Sequence, residues 1–264
     1  MFEKHLDEIV ALALAAGAVT LDYFGKSPGV TLKPDTTPVT EADQRAEALI
    51  LAGLAKLLPG VPVVAEERVA AGHVPILAGP APFILVDPLD GTREFIAGRD
   101  EFTVNIAIIE NGVPSLGVVV LPAQQTVYGT DGRSGAWRMV AGSAKATIRC
   151  RPMRRDDLVA VASRSHLDPQ TKGFIDTLGV RASINSGSSG KFCRIAEGAA
   201  DVYPRFAPTM EWDTAAGQAV LAAAGGRVTT PAGAPLAYGK PGYRNGPFIA
   251  WGAGSLAGLT APSS

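Results

Sequence analysis

The chain has 264 residues, 47% hydrophobic and 19% charged, with a formal net charge of −1. That length buries a large core, as one domain or as two closely packed halves, and the composition excludes a disordered chain. The near-neutral balance excludes a protein that coats nucleic acid, and leaves room for a small phosphorylated ligand held by local charge or by metal.

Residues 3–24 read as one helix, because Leu6, Ile9, Ala13, Leu14, Gly17 and Leu21 recur at helical spacing and Gly25 stops the pattern. Its apolar run is too short to span a bilayer. Glu3, Asp7 and Glu8 before it are wrong for the basic start of an export signal, so the expectation is a core helix in a cytoplasmic protein with no integral membrane segment. Residues 26–39, broken by Pro28-Gly29, Pro34-Asp35 and Pro38, read as a loop or irregular hairpin. A second helix starts near Thr40 and ends at Pro59-Gly60, with Ala46, Leu49, Ile50, Leu54 and Leu57 inward. Thr40 and Asp43 stand at capping-box spacing there.

Residues 61–65 form a short strand that delivers Glu66-Glu67, and 70–82 make a surface connection. The wholly apolar run 83–86 reads as a buried strand leading into Asp87-Pro88-Leu89-Asp90-Gly91-Thr92, and 93–97 as a short helix. Two apolar runs, 102–109 and 113–121, flank Glu110-Asn111-Gly112, a hairpin signal. The segments 126–129, 136–140 and 146–150 continue an antiparallel meander. From about residue 155 the pattern alternates: strands at 158–162, 181–185 and 200–203, helices at 169–178, 188–197 and 212–224, and short closing strands through 248–251. That suggests a second α/β lobe, dividing the chain into 1–154 and 155–264.

Two carboxylates at the mouth of a buried strand are costly to desolvate unless a positive charge neutralises them, and a hard divalent cation with oxygen ligands does so. Asp87 and Asp90 also fit a plain strand-end turn. Asp43 and Asp213 fit helix starts, and Glu66-Glu67 a solvated surface. What unites them is placement at element ends, where separate segments converge on one cleft. Gly187-Ser188-Ser189-Gly190-Lys191, between a strand and a helix, fits either an anion site or simple capping by Ser188. His166 lies in a turn-like Ser-His-Leu-Asp-Pro stretch. Trp212 reads as core. Cys150 and Cys193 make no zinc pattern with the histidines and read as buried free thiols. No nucleophile elbow and no dinucleotide fingerprint is present.

Glu66-Glu67, Asp87-Pro-Leu-Asp-Gly-Thr92 and Trp212-Asp-Thr-Ala-Ala-Gly217 resemble, in order and separation, the signature segments of the inositol monophosphatase-like superfamily of Mg²⁺-dependent, Li⁺-sensitive phosphomonoesterases. Within it, Asp90-Gly-Thr-Arg-Glu-Phe95, Ser163-Arg-Ser-His166, Gly187-Ser-Ser-Gly-Lys-Phe-Cys193 and Tyr203-Pro-Arg-Phe206 are similar to the bacterial 3'(2'),5'-bisphosphate nucleotidases of the CysQ type. Ala65 stands where inositol monophosphatases commonly place Gly. Gly190 stands where the nucleotidases usually have Leu, and Arg93 replaces a more usual Lys.

The resemblance implies an α+β or α/β fold, a layered αβαβα sandwich with an antiparallel sheet in the N-terminal lobe and a smaller α/β C-terminal lobe. It implies two to three Mg²⁺ ions: Glu66, Asp87 and the Leu89 carbonyl at the first, Asp87, Asp90 and Asp213 at the second, and Glu66 helping at a weaker third. Asp43 and Thr92 would activate the attacking water, with Glu67 steering Glu66. The Gly91-Thr92 backbone would grip the scissile phosphate, beside Asp90 and Asp213. Gly187, Ser188, Lys191, Arg205 and His166 would hold the rest of a small phosphorylated nucleotide. Adenosine 3',5'-bisphosphate is the implied substrate. An inositol or sugar phosphate phosphatase of the same fold, or a non-enzymatic nucleotide or metal sensor, are the alternatives. Monomer and homodimer, and peripheral placement on the cytoplasmic membrane face, stay open.

Overall fold

A computed structural model describes residues 2–26, 30–32, 38–77, 79–163 and 167–254. In chain order these form α1 (Leu6–Tyr23), β1 (Val30–Leu32), β2 (Pro38–Thr40), α2 (Glu41–Leu57), β3 (Val63–Ala65), α3 (Glu66–Ala70), β4 (Phe83–Asp90), α4 (Thr92–Ile96), β5 (Thr103–Glu110) and β6 (Val113–Leu121). There follow β7 (Thr126–Thr130), β8 (Ala136–Val140), β9 (Ala146–Ile148), β10 (Val159–Ala162), α5 (Pro169–Leu178), β11 (Ala182–Asn185), α6 (Gly190–Ala196) and β12 (Val202–Arg205). The chain closes with β13 (Thr209–Met210), α7 (Glu211–Ala223), β14 (Arg227–Thr229), β15 (Arg244–Asn245) and β16 (Phe248–Trp251).

Strands β3 to β9 lie side by side in chain order, with β3 parallel to β4 and every later pair antiparallel. The β5–β6 turn places Asn111 at φ 53° and Gly112 at φ 74°, the left-handed pair that a tight hairpin matching strand twist requires. A second sheet runs β11-β10-β12-β16-β14, parallel across its first three strands and antiparallel thereafter. Of the segment 26–39, the described strands β1 and β2 pair antiparallel, Val30 with Thr40 and Leu32 with Pro38.

The continuous apolar runs of the first sheet follow from cover on both faces. Ile84, Val86, Val104, Ile106, Val118 and Val120 face α1 and α2, while Phe83, Leu85, Ala107, Ile109, Val119 and Leu121 face α6 and α7. Beyond α6 and α7 comes the second sheet, whose far side takes Phe174, Ile175 and Leu178 of α5. The layers are therefore helix, sheet, helix, sheet, helix, the αβαβα sandwich that the sequence resemblance implied. The run 9–21 is a core helix, with Ile9, Ala13 and Ala16 fully buried. Among the described residues no helix is long and apolar enough to cross a membrane. Cys150 and Cys193 are buried and free, and burial pushes the Cys150 thiol up to about 11.

One buried clasp secures the second sheet. Asp201, 1% exposed, accepts from Arg151 Nε at 2.8 Å and from the Val159 backbone N–H at 2.7 Å. Asp201→Ala leaves that amide unpaired and the Arg151 guanidinium with only Asp157, whose carbonyl it meets at 3.1 Å, so unfolding in urea should show a loss of about 2 kcal/mol. A loss under about 0.5 kcal/mol, the size of an ordinary surface change, would show the clasp to be dispensable.

Candidate active site

The ends of α3, β4, α4, α6, β12 and α7 open on one cavity of about 710 Å³, lined among others by Glu66, Asp87, Leu89, Asp90, Gly91, Thr92, Ser188, Lys191, Arg205 and Asp213. These were picked out separately along the sequence, and the fold brings them together. Asp43 and Gly187 stand directly behind the lining. His166 lies outside the described residues.

Asp87 and Asp90 owe their common direction to an irregularity. Residues three apart in a regular strand point to opposite faces. Here Asp87 pairs with Asn105 and Asp90 with Thr103, so three steps on β4 match two on β5, a bulge around Pro88-Leu89. Proline is tolerated at such a point because the ladder is already interrupted. Both aspartates therefore emerge on the side of α6 and α7. Asp87 is 1% exposed and its Oδ1 accepts the Leu89 N–H at 3.0 Å. Burial, then Glu66, Asp90 and Asp213, hold its carboxyl well above the usual range. Burial also pushes Asp90 up to about 6, against the pull of Lys191. Asp213 is raised by burial, then by Asp90 and Glu66.

Asp43 and Asp213 reach the site by the same device. Each is the third residue of its helix, with one carboxylate oxygen accepting the backbone N–H just before the helix: Thr40 N to Asp43 Oδ2 at 2.8 Å, and Met210 N to Asp213 Oδ2 at 2.7 Å. Capping and a place in the site are thus compatible. Asp43 uses Oδ2 for the cap, taking the Thr40 hydroxyl too at 2.5 Å, and turns Oδ1 towards the Thr92 hydroxyl at 3.4 Å. The same hydroxyl lies 3.3 Å from the Leu89 carbonyl. Gly91, at φ 90°, makes the left-handed turn between β4 and α4 that places Thr92 there.

The same cavity also carries positive charge. Lys191 is 5% exposed, and burial lowers its ammonium to about 8 although Asp90 pulls the other way. Its Nζ lies 5.2 Å from the centre of the Tyr203 ring. Arg205 Nε donates to the Ala207 carbonyl at 3.2 Å. Ser188 sits at φ 49° with its buried Oγ lacking a hydrogen-bond partner among the described residues. A β-carbon on Gly187 would come within 2.4 Å of the Glu101 carbonyl, so only glycine lets this turn lie against the segment before β5. The helix that follows begins at Gly190, and its N-cap position falls on Ser189, not on Ser188 as the sequence suggested.

Glu66 and Glu67 open the short helix α3, where the sequence suggested only the end of a strand. The Glu67 N–H donates to Glu47 Oε2 at 2.8 Å. Glu47, 4% exposed, was not singled out in the sequence, although it follows Asp43 by four residues on the inward face of α2, a spacing that reveals it in retrospect. Arg93 and Arg244 also line the cavity. Trp212 is buried beside it, its ring 6.3 Å from that of Tyr243.

The donors at the acidic end are all oxygens, as a hard divalent cation requires. Among the described residues no three acidic, histidine or cysteine side chains are closed around a single point. Glu66, Asp87, Asp90 and Asp213 instead line one cavity, where burial and mutual repulsion hold the carboxyls of Asp87, Asp90 and Asp213 above their ordinary range, a set that a bound cation would balance.

A profile of the inositol monophosphatase family matches residues 3–261. The chain belongs to the inositol monophosphatase family. Within this family, the 3'(2'),5'-bisphosphate nucleotidase CysQ of Escherichia coli strain K12 is 44% identical over 247 residues, 90% of this chain and 98% of that protein. The CysQ of Buchnera aphidicola is 39% identical over 240 residues, 90% of this chain and 89% of that protein. The crystal structure of CysQ from Bacteroides thetaiotaomicron superposes with a TM-score of 0.79 at 36% identity, covering 97% of this chain and 99% of that one. An inositol monophosphatase of Thermotoga maritima superposes at 0.76 with 25% identity, over 94% of this chain and 92% of that one.

Proposed function

We propose that this chain is a Mg²⁺-dependent phosphomonoesterase that hydrolyses adenosine 3',5'-bisphosphate to AMP and phosphate. The observation that carries this reading is the mixed lining of one cavity, which holds the carboxylates Glu66, Asp87, Asp90 and Asp213 together with the cations Lys191 and Arg205. A cation bound among the carboxylates would take one phosphate, and the fixed cations would take a second, which a monophosphate lacks. The name of the E. coli relative, a bisphosphate nucleotidase, supports the same substrate.

Two to three Mg²⁺ ions would be held by Glu66, Asp87, the Leu89 carbonyl, Asp90 and Asp213, with Asp87 common to two of them and Glu67 steering Glu66. When bound they supply charge neutralisation for the phosphoryl group and acidify water. The protein's own part is positioning and proton transfer. The Thr92 hydroxyl donates to Asp43 Oδ1, so that as its oxygen takes a proton from the attacking water its own proton passes to the Asp43 carboxylate. Asp43, whose other oxygen is occupied by the cap, keeps that hydroxyl aimed. The Gly91-Thr92 amides, at the start of α4, grip the phosphate, while Gly187, Ser188, Lys191, Arg205 and His166 hold the nucleotide and its second phosphate.

Phosphate release from adenosine 3',5'-bisphosphate should exceed that from inositol 1-phosphate by at least tenfold in kcat/KM. A preference for inositol 1-phosphate would overturn the nucleotidase reading and leave the family intact. A second outcome concerns pH. Lys191 carries its charge below about 8 and loses it above, where an ordinary lysine stays charged. Since kcat/KM reports the free enzyme, it should fall for the bisphosphate above pH 8, and Lys191→Met should show a low value without that limb. An identical alkaline limb in Lys191→Met would assign it to another group.

A further inference from the structure

Ser189 stands at the N-cap position of α6, where serine ordinarily turns its hydroxyl back onto the amides of its own helix. It makes no such bond. Its Oγ instead donates to Asn105 Oδ1 at 2.6 Å and shares a hydrogen bond with Thr103 Oγ1 at 3.0 Å. Its backbone N–H donates to Asp90 Oδ2 at 2.6 Å. Thr103 and Asn105 are the cross-strand partners of Asp90 and Asp87, and such partners project from one face. All three network residues are at most 1% exposed. Asn105 Nδ2 is buried without a hydrogen-bond partner among the described residues, so Ser189 holds the Asn105 side chain through Oδ1. With water excluded, a broken bond here has no substitute, and the network keeps one geometry.

We propose that Ser189 is a positioning residue that latches the turn 187–191 onto the strand pair carrying Asp87 and Asp90, so that cation binding at the carboxylates and anion binding at Lys191 strengthen each other. The proposal rests on the function given above. One short segment is tied at residue 189 to Asp90, while its neighbours Ser188 and Lys191 line the same cavity. Steadying Asp90 on a cation steadies residue 189, and with it both neighbours. Coupling of this kind is reciprocal: the factor by which Mg²⁺ tightens nucleotide binding is the factor by which nucleotide tightens Mg²⁺ binding. The hydroxyl ties to Asn105 and Thr103 make residue 189 a rigid part of the sheet, and without them the turn hangs on the amide bond to Asp90.

The test is calorimetric titration of AMP into the full chain, after chelation and at saturating Mg²⁺. In the wild type Mg²⁺ should tighten AMP binding at least tenfold. Ser189→Ala should cut that factor at least fivefold, and Ser189→Thr, which keeps the hydroxyl, should restore it. A factor unchanged in Ser189→Ala overturns the latch, whatever happens to Tm, as does a wild type in which Mg²⁺ leaves AMP binding unchanged. Should Ser189→Ala fail to fold, Thr103→Val removes one partner and carries the same criterion. Phosphate release by the wild type is measured alongside. Absence of wild-type turnover overturns the substrate reading, whereas turnover with an unchanged coupling factor in the variant overturns the latch alone.

Discussion

Asp87→Asn should lower kcat/KM for the bisphosphate by about a thousandfold or more and, in the same protein after chelation, raise Tm. The two effects have one cause. Asp87 is 1% exposed and its carboxyl is raised by burial and by Glu66, Asp90 and Asp213. A charge in that position is costly unless a cation balances it. Asparagine keeps the oxygen that accepts the Leu89 N–H, and removes the charge. Without metal, relief of about 1–2 kcal/mol would appear as a rise of several degrees at 2–4 °C per kcal/mol for a chain near this size. With metal, the ligand that both ions are proposed to share is weakened, and the rate falls with the loss of charge neutralisation. Tm rising while turnover persists would sink the assignment of Asp87 as a shared metal ligand. Tm falling after chelation would show that the carboxylate is held by structure, and not strained by its neighbours.

The second large effect is on stability against pH. After chelation, the protein should lose stability as pH rises from about 4 to above 6, and excess Mg²⁺ should abolish that loss. The sign follows from proton counting. Asp90 is raised to about 6 in the fold, whereas in the unfolded chain it titrates near the ordinary value of about 4. Between those values the folded state binds more protons than the unfolded state, so stability falls with rising pH. Asp87 and Asp213, raised further, extend the loss upwards. Asp90 alone contributes about 2 kcal/mol, allowing for its partial exposure. Urea unfolding at pH 4.5 and 7.5, with chelator and with Mg²⁺, measures it. Equal stability at both pH values in chelator would mean that the carboxylates are neutralised from within the protein.

The fold was largely legible in the sequence because the strongest signals were local. Helical spacing marked α1 and α2, Asn111-Gly112 marked the central hairpin, and the apolar run into Asp87 marked β4. That run carries no alternation because both faces of β4 are covered, so direction within the strand could not be read from it. The acidic half of the site was legible because carboxylates at element ends are few. Two other members were hidden by residue type. Glu47 sits in a helix where glutamate is ordinary, and Ser189 sits where serine ordinarily caps. Their roles depend on Glu67 and on Thr103 and Asn105, partners 20 and more than 80 residues away, and no local pattern encodes such distances. The start of α6 was misplaced for the same reason: Ser188, not Ser189, looked like the cap until the left-handed backbone at Ser188 was seen.

The bulge around Pro88-Leu89 means that what β4 must preserve here is a count as much as a composition. Drawing the extra residue into the ladder, with both residues kept, would restore regular pairing with β5 and leave every side chain type in place. It would also swing Asp90 from the cavity into the layer of Ile84, Val86 and Ile106, an ionisable group among aliphatic side chains. The dipeptide between the aspartates thus holds the second carboxylate on the cavity side only while its extra residue stays out of the ladder, and the Leu89 side chain anchors that bulge by packing against Ala42, Phe95 and Phe102.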